Sequence, residues 1–247
     1  AHAQAVAHAF LDELLRHGVT SAMAFCSAHP ASVDAFFAAA QARRLRMIAG
    51  LVLMDRGAPD MLCAEALRSL VDSDDLIRRW HGAGRLGYAL APRFAPTCTG
   101  RLLAGAAELA DAHPGVLVQT HLAENHDEID WVARLFPQAR SYLDVYASHG
   151  LLRPGAVFAH CLHLDDDDRR RIAAAGAWAA VCPTSNLFLG SGFFDFAAAA
   201  RTGLRWALAS DVGAGTSLSP FRTMLAAFEV ARLAGATLAP GELWRAH

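Results

Sequence analysis

The stretch VQTHLAENHDEI, from Val118 to Ile129, joins a short apolar run to a polar segment with helical character. The apolar run ends on His121, and Glu124 follows three residues later. A strand that leads directly into a helix is the repeating unit of α/β proteins. One histidine at a strand end is usually an ordinary hydrogen-bonding group, so its meaning depends on whether other strands end on similar residues.

The same pattern of an apolar run followed by a helical stretch recurs along the chain. Seven short apolar, β-branched or aromatic runs are separated by longer stretches with helical periodicity, such as ASVDAFFAAAQARR, TGRLLAGAAELADAH, DEIDWVARLF and PFRTMLAAFEVARLAG. Successive βα units predict a parallel sheet covered by helices, because parallel strands need crossover connections. The seven runs are GVTSAMAF from Gly18, RMIAGLVL from Arg46, LGYALAP from Leu86, GVLVQTHL from Gly115, AVFAHCLHL from Ala156, AWAAVCPTS from Ala177 and LRWALASD from Leu204.

An open doubly wound sheet and a closed barrel both satisfy this α/β pattern. No G-x-G-x-x-G follows an early strand, so a dinucleotide-binding fold is not favoured. Seven strands with a helix in front of the first, AHAQAVAHAFLDELLRHG, favour a (β/α)8 TIM-type barrel whose first strand lies upstream of residue 1. No linker or change of composition is present, so residues 1–247 are predicted to form a single, incomplete barrel domain. A further helix is predicted to open after Pro240.

Composition narrows the class of protein. A chain of 247 residues can bury a substantial core, and no apolar run approaches the roughly 18 residues that a membrane span needs. The net charge of −2 and the lack of a basic run argue against nucleic acid or a lipid surface as the main partner. Scattered cysteines without a C-x-x-C pair favour reduced thiols in a cytoplasmic protein over a disulfide framework or a cysteine zinc site. The five cysteines are Cys26, Cys63, Cys98, Cys161 and Cys182.

Polar residues follow several of the predicted strands at their C-terminal ends, where barrel enzymes carry their catalytic groups. Imidazole nitrogens and a carboxylate at the ends of three different strands would converge at one end of a barrel. Donors of this kind suit zinc or another borderline divalent metal. The strand-end groups are Arg93 and Phe94 in APRFAPT, His121 and Glu124 in VQTHLAEN, His160 in FAHCLHL, the segment CPTSN from Cys182 and Asp211 in ASDVGAGTS.

Each of these residues also has an ordinary structural explanation. His160 taken alone is more typical of a core or rim histidine, and Asp211 before Val-Gly-Ala-Gly could cap a turn. Glu124 could be an N-terminal helix carboxylate favoured by the dipole, and PTSNLFLGSG could be an ordinary loop. The joint placement of these residues at strand ends favours a functional cluster. Four further histidines are predicted at the rim or in solvent, namely His163, His113, His126 and His149.

Several motifs of the chain resemble those of guanine deaminases in the amidohydrolase superfamily. In chain order they include VQTHLAEN, VFAHCLHL, CPTSNLFLGSGFFDF and SDVGAGTS. The segments HPASVDAFFAAA, RMIAGLVLMDRGAPD and LGYALAPRFAPTCT are similar to the same family, so the resemblance covers nearly the whole chain. The histidines and the aspartate are shared across the superfamily, whereas APRFAPT and CPTSNLFLGSG are specific to its guanine deaminase-like members.

This resemblance implies a metal site and a reaction. His121, His160 and Asp211 would hold one zinc ion per subunit, and the reaction would be hydrolytic deamination of guanine to xanthine and ammonia. Zinc lowers the pKa of a bound water to about 7, which supplies a nucleophile at neutral pH. Asp211 would take a proton from that water, and Glu124 would act as the proton shuttle of the reaction.

The resemblance also implies the substrate contacts and the assembly. The partner would be a small-molecule purine, bound by Arg93, Phe94, His121 and Glu124. Arg93 would form hydrogen bonds to the carbonyl side of the purine, and Phe94 would pack on its ring. Family resemblance further suggests a homodimer.

The chain departs from the family pattern at two points. The family carries an H-x-H pair at the end of the first barrel strand, and none occurs here, because His2 and His8 are six apart in a helix. The small β-rich domain that family members build from both chain ends is missing too. Two alternatives stay open: another amidohydrolase acting on a different aminated or chlorinated heterocycle, or a metal-free inactive barrel that serves as a binding scaffold. The zinc deaminases that combine H-x-E with P-C-x-x-C are excluded, since no P-C-x-x-C is present.

Overall fold

A computed structural model describes all residues of the chain, 1–247, as two compact units. The first unit comprises Ala1–Thr120 with His149–Leu151, and the second comprises His121–Ser148 with Leu152–His247. The boundary therefore falls inside the strand that ends on His121 and Leu122. The single domain over residues 1–247 stays a prediction.

Strands and helices alternate in the first unit. Two short 3-10 helices, Asp60–Leu62 and Ala95–Thr97, interrupt its loops. Its elements are α1 (His2–Arg16), β1 (Ser21–Phe25), α2 (Pro30–Ala42), β2 (Arg46–Gly50), β3 (Val52–Leu53), α3 (Ala66–Trp80), β4 (Gly87–Pro92), α4 (Gly100–Ala112) and the start of β5 (Leu117–Leu122).

All strand pairs of the first unit are parallel. β1 pairs with β2, β2 and β3 both pair with β4, and β4 pairs with β5 through Ala89 opposite Leu117. Every residue of β4, GYALAP, is buried, as the near-continuous apolar sequence of an internal parallel strand requires. The aromatic core packs against it, with the ring of Phe37 5.7 Å from Trp80 and 6.4 Å from Tyr88.

The prediction that RMIAGLVL forms one continuous strand is wrong. The strand breaks at Leu51, because the Leu51 N–H donates to the hydroxyl of Tyr88 at 3.1 Å instead of joining the ladder. At Gly50 a β-carbon would lie 1.8 Å from the carbonyl oxygen of Ala89, so only glycine fits where the two strands approach. The break thus follows from one tyrosine on the neighbouring strand.

The second unit contains the end of β5 and a further set of βα elements. They are α5 (His126–Leu135), α6 (Tyr142–Ser148), β6 (Ala156–His160), α7 (Asp166–Ala174), β7 (Trp178–Val181), α8 (Pro183–Leu189), α9 (Phe196–Thr202), β8 (Trp206–Leu208), α10 (Pro220–Leu233) and α11 (Pro240–Ala246).

The strands of the second unit are also parallel. β6 pairs with β7, and β7 pairs with β8. Just beyond β6, the Cys161 N–H donates to the carbonyl of Leu122 at the end of β5, at 2.9 Å. Gly176 and Gly203, both with φ of 72°, follow α7 and α9 in the short connections to the next strands, as glycines at helix C-termini do. The seven predicted strand positions and the α/β class are confirmed.

In the second unit, the predicted strand AVFAHCLHL is too long, and the alternative that PTSNLFLGSG is an ordinary loop does not apply to its first part. β6 ends at His160, so CLHL lies outside the strand. The segment PTSNLFL is not a loop but the helix α8, because Pro183 at its first position suits a helix start and Gly190, with φ of 71°, ends it. The helix predicted after Pro240 is confirmed as α11.

Among the histidines predicted to be solvated, His113 is not. Its side chain is 18% exposed, and its Nε2 lies 2.6 Å from an oxygen of Asp74 on α3. His149 is half-buried, with its ring against Gly100 at the start of α4. The five cysteines are all unpaired. None of the helices combines the length and the hydropathy that a membrane-crossing helix requires.

Candidate active site

His121 and Glu124 lie at the C-terminal end of β5. His121 is the last residue but one of the strand, and its carbonyl accepts a hydrogen bond of 2.8 Å from the Tyr146 hydroxyl. Ala123 then turns the chain with a φ of 51°, and Asn125 is the N-cap of α5. Glu124 therefore precedes the helix, and the alternative of a first-turn carboxylate favoured by the helix dipole does not apply to it.

A capping box fixes the backbone around Glu124. One oxygen of Glu128 accepts the N–H of Glu124 at 3.0 Å and that of Asn125 at 3.4 Å. The Asn125 side chain in turn accepts the Glu128 N–H at 2.9 Å. Burial raises the pKa of the Glu128 carboxyl, while the neighbouring Tyr142 hydroxyl and then these backbone amides oppose that shift. The box sets where the Glu124 side chain leaves the backbone.

His160 occupies the end of β6 and is 1% exposed. Its Nδ1 lies 2.9 Å from Oδ1 of Asn186 on α8. Because an amide oxygen only accepts, Nδ1 carries the proton and Nε2 presents its lone pair. That Nε2 lies 3.7 Å from Oε2 of Glu124, and the His160 ring stacks on His121 with centroids 5.5 Å apart.

Asp211 follows β8 at the start of the VGAG turn. Its backbone carbonyl accepts the N–H of Ala214 at 3.1 Å and of Gly215 at 2.5 Å. The turn is thus closed by the backbone, and the carboxylate is not needed to cap it. Ligand atoms of Asp211, His160 and Cys182 all lie within 4.8 Å of one another.

The donor set fits a divalent metal. Burial, and then the charge of Asp211, raise the pKa of the Cys182 thiol well above its ordinary value, and its Sγ donates to the carbonyl of Ala180 at 3.4 Å. Within that cluster His160 supplies an imidazole and Asp211 a carboxylate, and nitrogen and oxygen donors of this kind suit borderline divalent ions. The cluster does not include His121, whose ring stacks on that of His160 with centroids 5.5 Å apart.

Strained backbone concentrates at this site. Five residues other than glycine have positive φ in the structure, and four of them belong to the strand ends just described. Left-handed backbone in such residues costs about 1–3 kcal/mol each and persists where the surroundings impose it. The four residues are Ala123 (51°), His160 (69°), Cys161 (55°) and Asp211 (48°).

Two residues of the site escaped the sequence prediction. Asn186 contacts the ring of His160, and the Ser191 hydroxyl donates to Oε1 of Glu124 at 3.0 Å. Both belong to CPTSNLFLGSG, the segment singled out as specific to guanine deaminase-like proteins, so its sequence marked their region without assigning their contacts. His163, predicted at the rim, is half-buried, and its ring lies 4.1 Å from that of the exposed His126.

Arg93 and Phe94 belong to the first unit and directly follow β4. The Arg93 N–H donates to the carbonyl of Leu53 at 3.1 Å, and its own carbonyl accepts from the Thr120 hydroxyl at 3.3 Å. Its side chain is exposed, whereas Phe94 is half-buried and caps the 3-10 helix Ala95–Thr97 with extended backbone. The peptide of Arg93 is therefore fixed on both sides.

A parallel βα fold with histidines and an aspartate at its strand ends is typical of metal-dependent hydrolases. The amidohydrolase family model matches residues 1–243, and the chain belongs to this family. It is 46% identical over 233 residues to guanine deaminase of Escherichia coli (strain K12), a match that covers 94% of this chain and 53% of that protein. The chain thus spans about half the length of such relatives.

Solved structures show the same relationship. Guanine deaminase from E. coli superposes with a TM-score of 0.97 at 44% identity, over 99% of this chain and 57% of that one. Guanine deaminase from C. acetobutylicum, solved with guanine in its active site, has a TM-score of 0.95 at 27% identity, over 99% and 60% of the two chains. The predicted family resemblance and the TIM-type barrel class are confirmed.

Proposed function

We propose that the full-length protein hydrolyses guanine to xanthine and ammonia. The observation that carries this proposal is the 46% identity to a guanine deaminase over 94% of the chain. The second unit supports it, because Glu124 and Asp211 both lie close to His160 there. The activity is proposed for the whole protein, since this chain spans only about half of such a relative.

We further propose zinc as the metal, one ion per subunit, held by His121, His160 and Asp211. The support is the donor chemistry, together with the Asn186 contact that leaves Nε2 of His160 available. Zinc supplies a water of lowered pKa and polarises the group under attack. Both histidines lie at the C-terminal ends of parallel strands, so the sheet holds the backbone that carries their rings.

The protons are assigned to Glu124 and Asp211. Water adds its oxygen to the ring carbon that bears the exocyclic amine, and its two protons end on a ring nitrogen of xanthine and on the departing ammonia. Asp211 accepts the first proton of the water. Glu124 delivers a proton to the ring nitrogen beside the attacked carbon, then takes the second water proton from the hydroxyl on that carbon and passes it to the leaving amine. The proton held by Asp211 then restores the protonated Glu124, so the cycle closes. These transfers suit a carboxyl that is 17% exposed and held through its backbone.

Arg93 and Phe94 are proposed to recognise the purine, with His121 and Glu124 completing the contacts. Guanine offers a carbonyl and a ring nitrogen acceptor on one edge, and a planar guanidinium presents donors in a matching fork. Adenine carries an amino group in place of that carbonyl and would set a donor against a donor. A buried unsatisfied group costs roughly 1–3 kcal/mol, which corresponds to one to two orders of magnitude in discrimination.

The test compares metal-free and zinc-loaded full-length protein for release of ammonia from guanine, adenosine and aminated triazines, and for release of chloride from chlorinated triazines. We expect release from guanine that requires stoichiometric zinc. Turnover of another heterocycle with none of guanine would overturn the substrate and favour a different amidohydrolase. No turnover and no zinc binding would instead favour the inactive scaffold.

The assembly and compartment are also proposals. Family resemblance supports a homodimer, and five unpaired cysteines suit a reducing compartment such as the cytoplasm. Sedimentation equilibrium of the full-length protein tests the first, and a monomer across the micromolar range would contradict it. Fractionation of the source cells tests the second.

A further inference from the structure

We propose that Ser191 is a positioning residue that holds the Glu124 carboxylate in the orientation needed for proton transfer. The inference rests on the proposed deamination, because it assigns Glu124 the proton-shuttle role. Ser191 lies in the segment between α8 and α9, and its hydroxyl donates to Oε1 of Glu124 at 3.0 Å. The two residues are 67 positions apart in the chain.

Ser191 is itself fixed at three points. Its N–H donates to the carbonyl of Asn186 at 2.9 Å, and its carbonyl lies 2.9 Å from Nε2 of His163. The hydroxyl contact to Glu124 is the third. The peptide groups on both sides of Ser191 are therefore held by contacts that do not involve its hydroxyl.

Two glycines give the segment the backbone that this placement requires. Gly190 and Gly192 flank Ser191 with φ of 71° and 128°, a region that side chains rarely adopt. A β-carbon at Gly192 would also lie 3.2 Å from the ring of His163. Replacing either glycine of Gly-Ser-Gly by a residue with a side chain would therefore strain the backbone that places the Ser191 hydroxyl.

His163 is supported in turn from the two sides of the site. Its N–H donates to the carbonyl of Ala123, directly before Glu124, at 3.2 Å. Its ring packs against that of His126 on α5, at 4.1 Å between centroids. His163, which holds the Ser191 carbonyl, is therefore anchored to the residues on both sides of Glu124, Ala123 at the strand end and His126 at the start of α5.

The two oxygens of Glu124 have different surroundings. Oε1 receives the Ser191 hydroxyl, and Oε2 lies 3.7 Å from Nε2 of His160. Without the hydroxyl, the terminal torsion of a glutamate is broad and nearly two-fold, so the oxygens would exchange places. Ser191 keeps Oε2 as the oxygen that takes and returns the proton. A role confined to tying down the segment would instead affect stability and leave turnover unchanged.

The experiment uses full-length protein with Ser191→Val and Ser191→Thr, a pair of nearly equal shape that differs in the hydroxyl. We expect kcat on guanine to fall about 10- to 100-fold in Ser191→Val, as for loss of a hydrogen bond to a charged group. Ser191→Thr should recover most of that loss, and KM and zinc content should stay near parental in both. Equal kcat in the two variants would overturn the proposal.

A double-mutant cycle with Glu124→Gln separates this inference from the proposed function. Ser191→Val should add little further loss of kcat in the Glu124→Gln background. Thermal unfolding of the metal-free proteins provides a second cycle that needs no turnover, and non-additive shifts would support the contact. If the parental protein releases no ammonia from guanine, the proposed function fails, and the positioning inference is then decided by the unfolding cycle, with strict additivity overturning it.

Discussion

Asn186 offers a direct test of how the protein prepares His160 for a metal. Its Oδ1 lies 2.9 Å from Nδ1 of His160, and both side chains are almost fully buried. Replacing Asn186 by leucine, which has a similar volume, removes the acceptor and leaves the imidazole N–H without its partner. The proton on Nδ1 is then no longer held, so the ring loses its fixed tautomer and orientation.

The expected free-energy change from Asn186→Leu differs between metal binding and folding. Loss of the partner that orients a ligating histidine lowers metal affinity about 10- to 100-fold, or roughly 1.4–2.8 kcal/mol. For folding, the stranded His160 N–H costs about 1–3 kcal/mol. However, Nδ2 of Asn186 has no hydrogen-bond partner in the protein, so removing this buried donor stabilises the fold by a similar free energy. The net change in unfolding free energy should stay within about 1 kcal/mol, a shift in Tm below roughly 4 °C.

The assay is zinc titration of the metal-free full-length protein, followed by thermal unfolding without metal. Asn186→Asp is the matched control, because a carboxylate accepts the same hydrogen bond but places a charge in a buried site. We expect it to keep near-parental zinc affinity and to lower the Tm of the metal-free protein. Zinc affinity of Asn186→Leu equal to that of the parental protein would refute the role given to this amide.

Four further outcomes follow from the fold and the site. Glu124→Gln should retain zinc, since Glu124 is not proposed as a ligand, and lose about 10²–10⁴-fold in kcat, so near-parental turnover would remove it from the mechanism. Arg93→Ala should fold and retain zinc but lose guanine turnover, and Arg93→Lys should recover little of it, because a point charge does not replace the forked donors of a guanidinium. Guanine kinetics and zinc content of both variants test this role. A parental rate in Arg93→Ala would contradict it. Burial raises the pKa of the folded Glu128 carboxyl above its ordinary value of 4.5, so the stability that it contributes is present below that value and is lost as pH rises through the folded pKa. Glu128→Gln should therefore raise Tm at pH 8 and change it little at pH 4, and an unchanged Tm at both values would argue that the carboxyl is not perturbed in the fold. Finally, Gly50→Ala should lower Tm by about 2–10 °C, because its β-carbon would lie 1.8 Å from a backbone carbonyl oxygen. The control Gly241→Ala has open space around the added carbon and should leave Tm unchanged. Equal Tm values for the two variants would contradict the close approach at Gly50.

Local pattern was enough to predict the α/β class and the strand positions. Apolar runs bounded by glycines predict strands, and helical periodicity between them predicts helices, because residues close in sequence determine which faces are buried and which backbone angles are allowed. The same locality explains why His121, Glu124, His160 and Asp211 could be selected as candidates, since each lies at or just past the end of a recognisable strand. Residue type and position at a strand end are properties of a few consecutive residues.

The contacts that prepare these groups depend on residues far apart in the chain. The strand break at Leu51 comes from a hydroxyl 37 positions away, and the amide on His160 comes from 26 positions away. The hydroxyl on Glu124 is supplied from 67 positions away. Nothing in the periodicity of either partner encodes such a pair, because a hydrogen bond between distant residues forms only where packing brings donor and acceptor to within about 3 Å. The sequence alone therefore sufficed to select the groups at the strand ends, while the folded chain decided which side chains hold them and in which orientation.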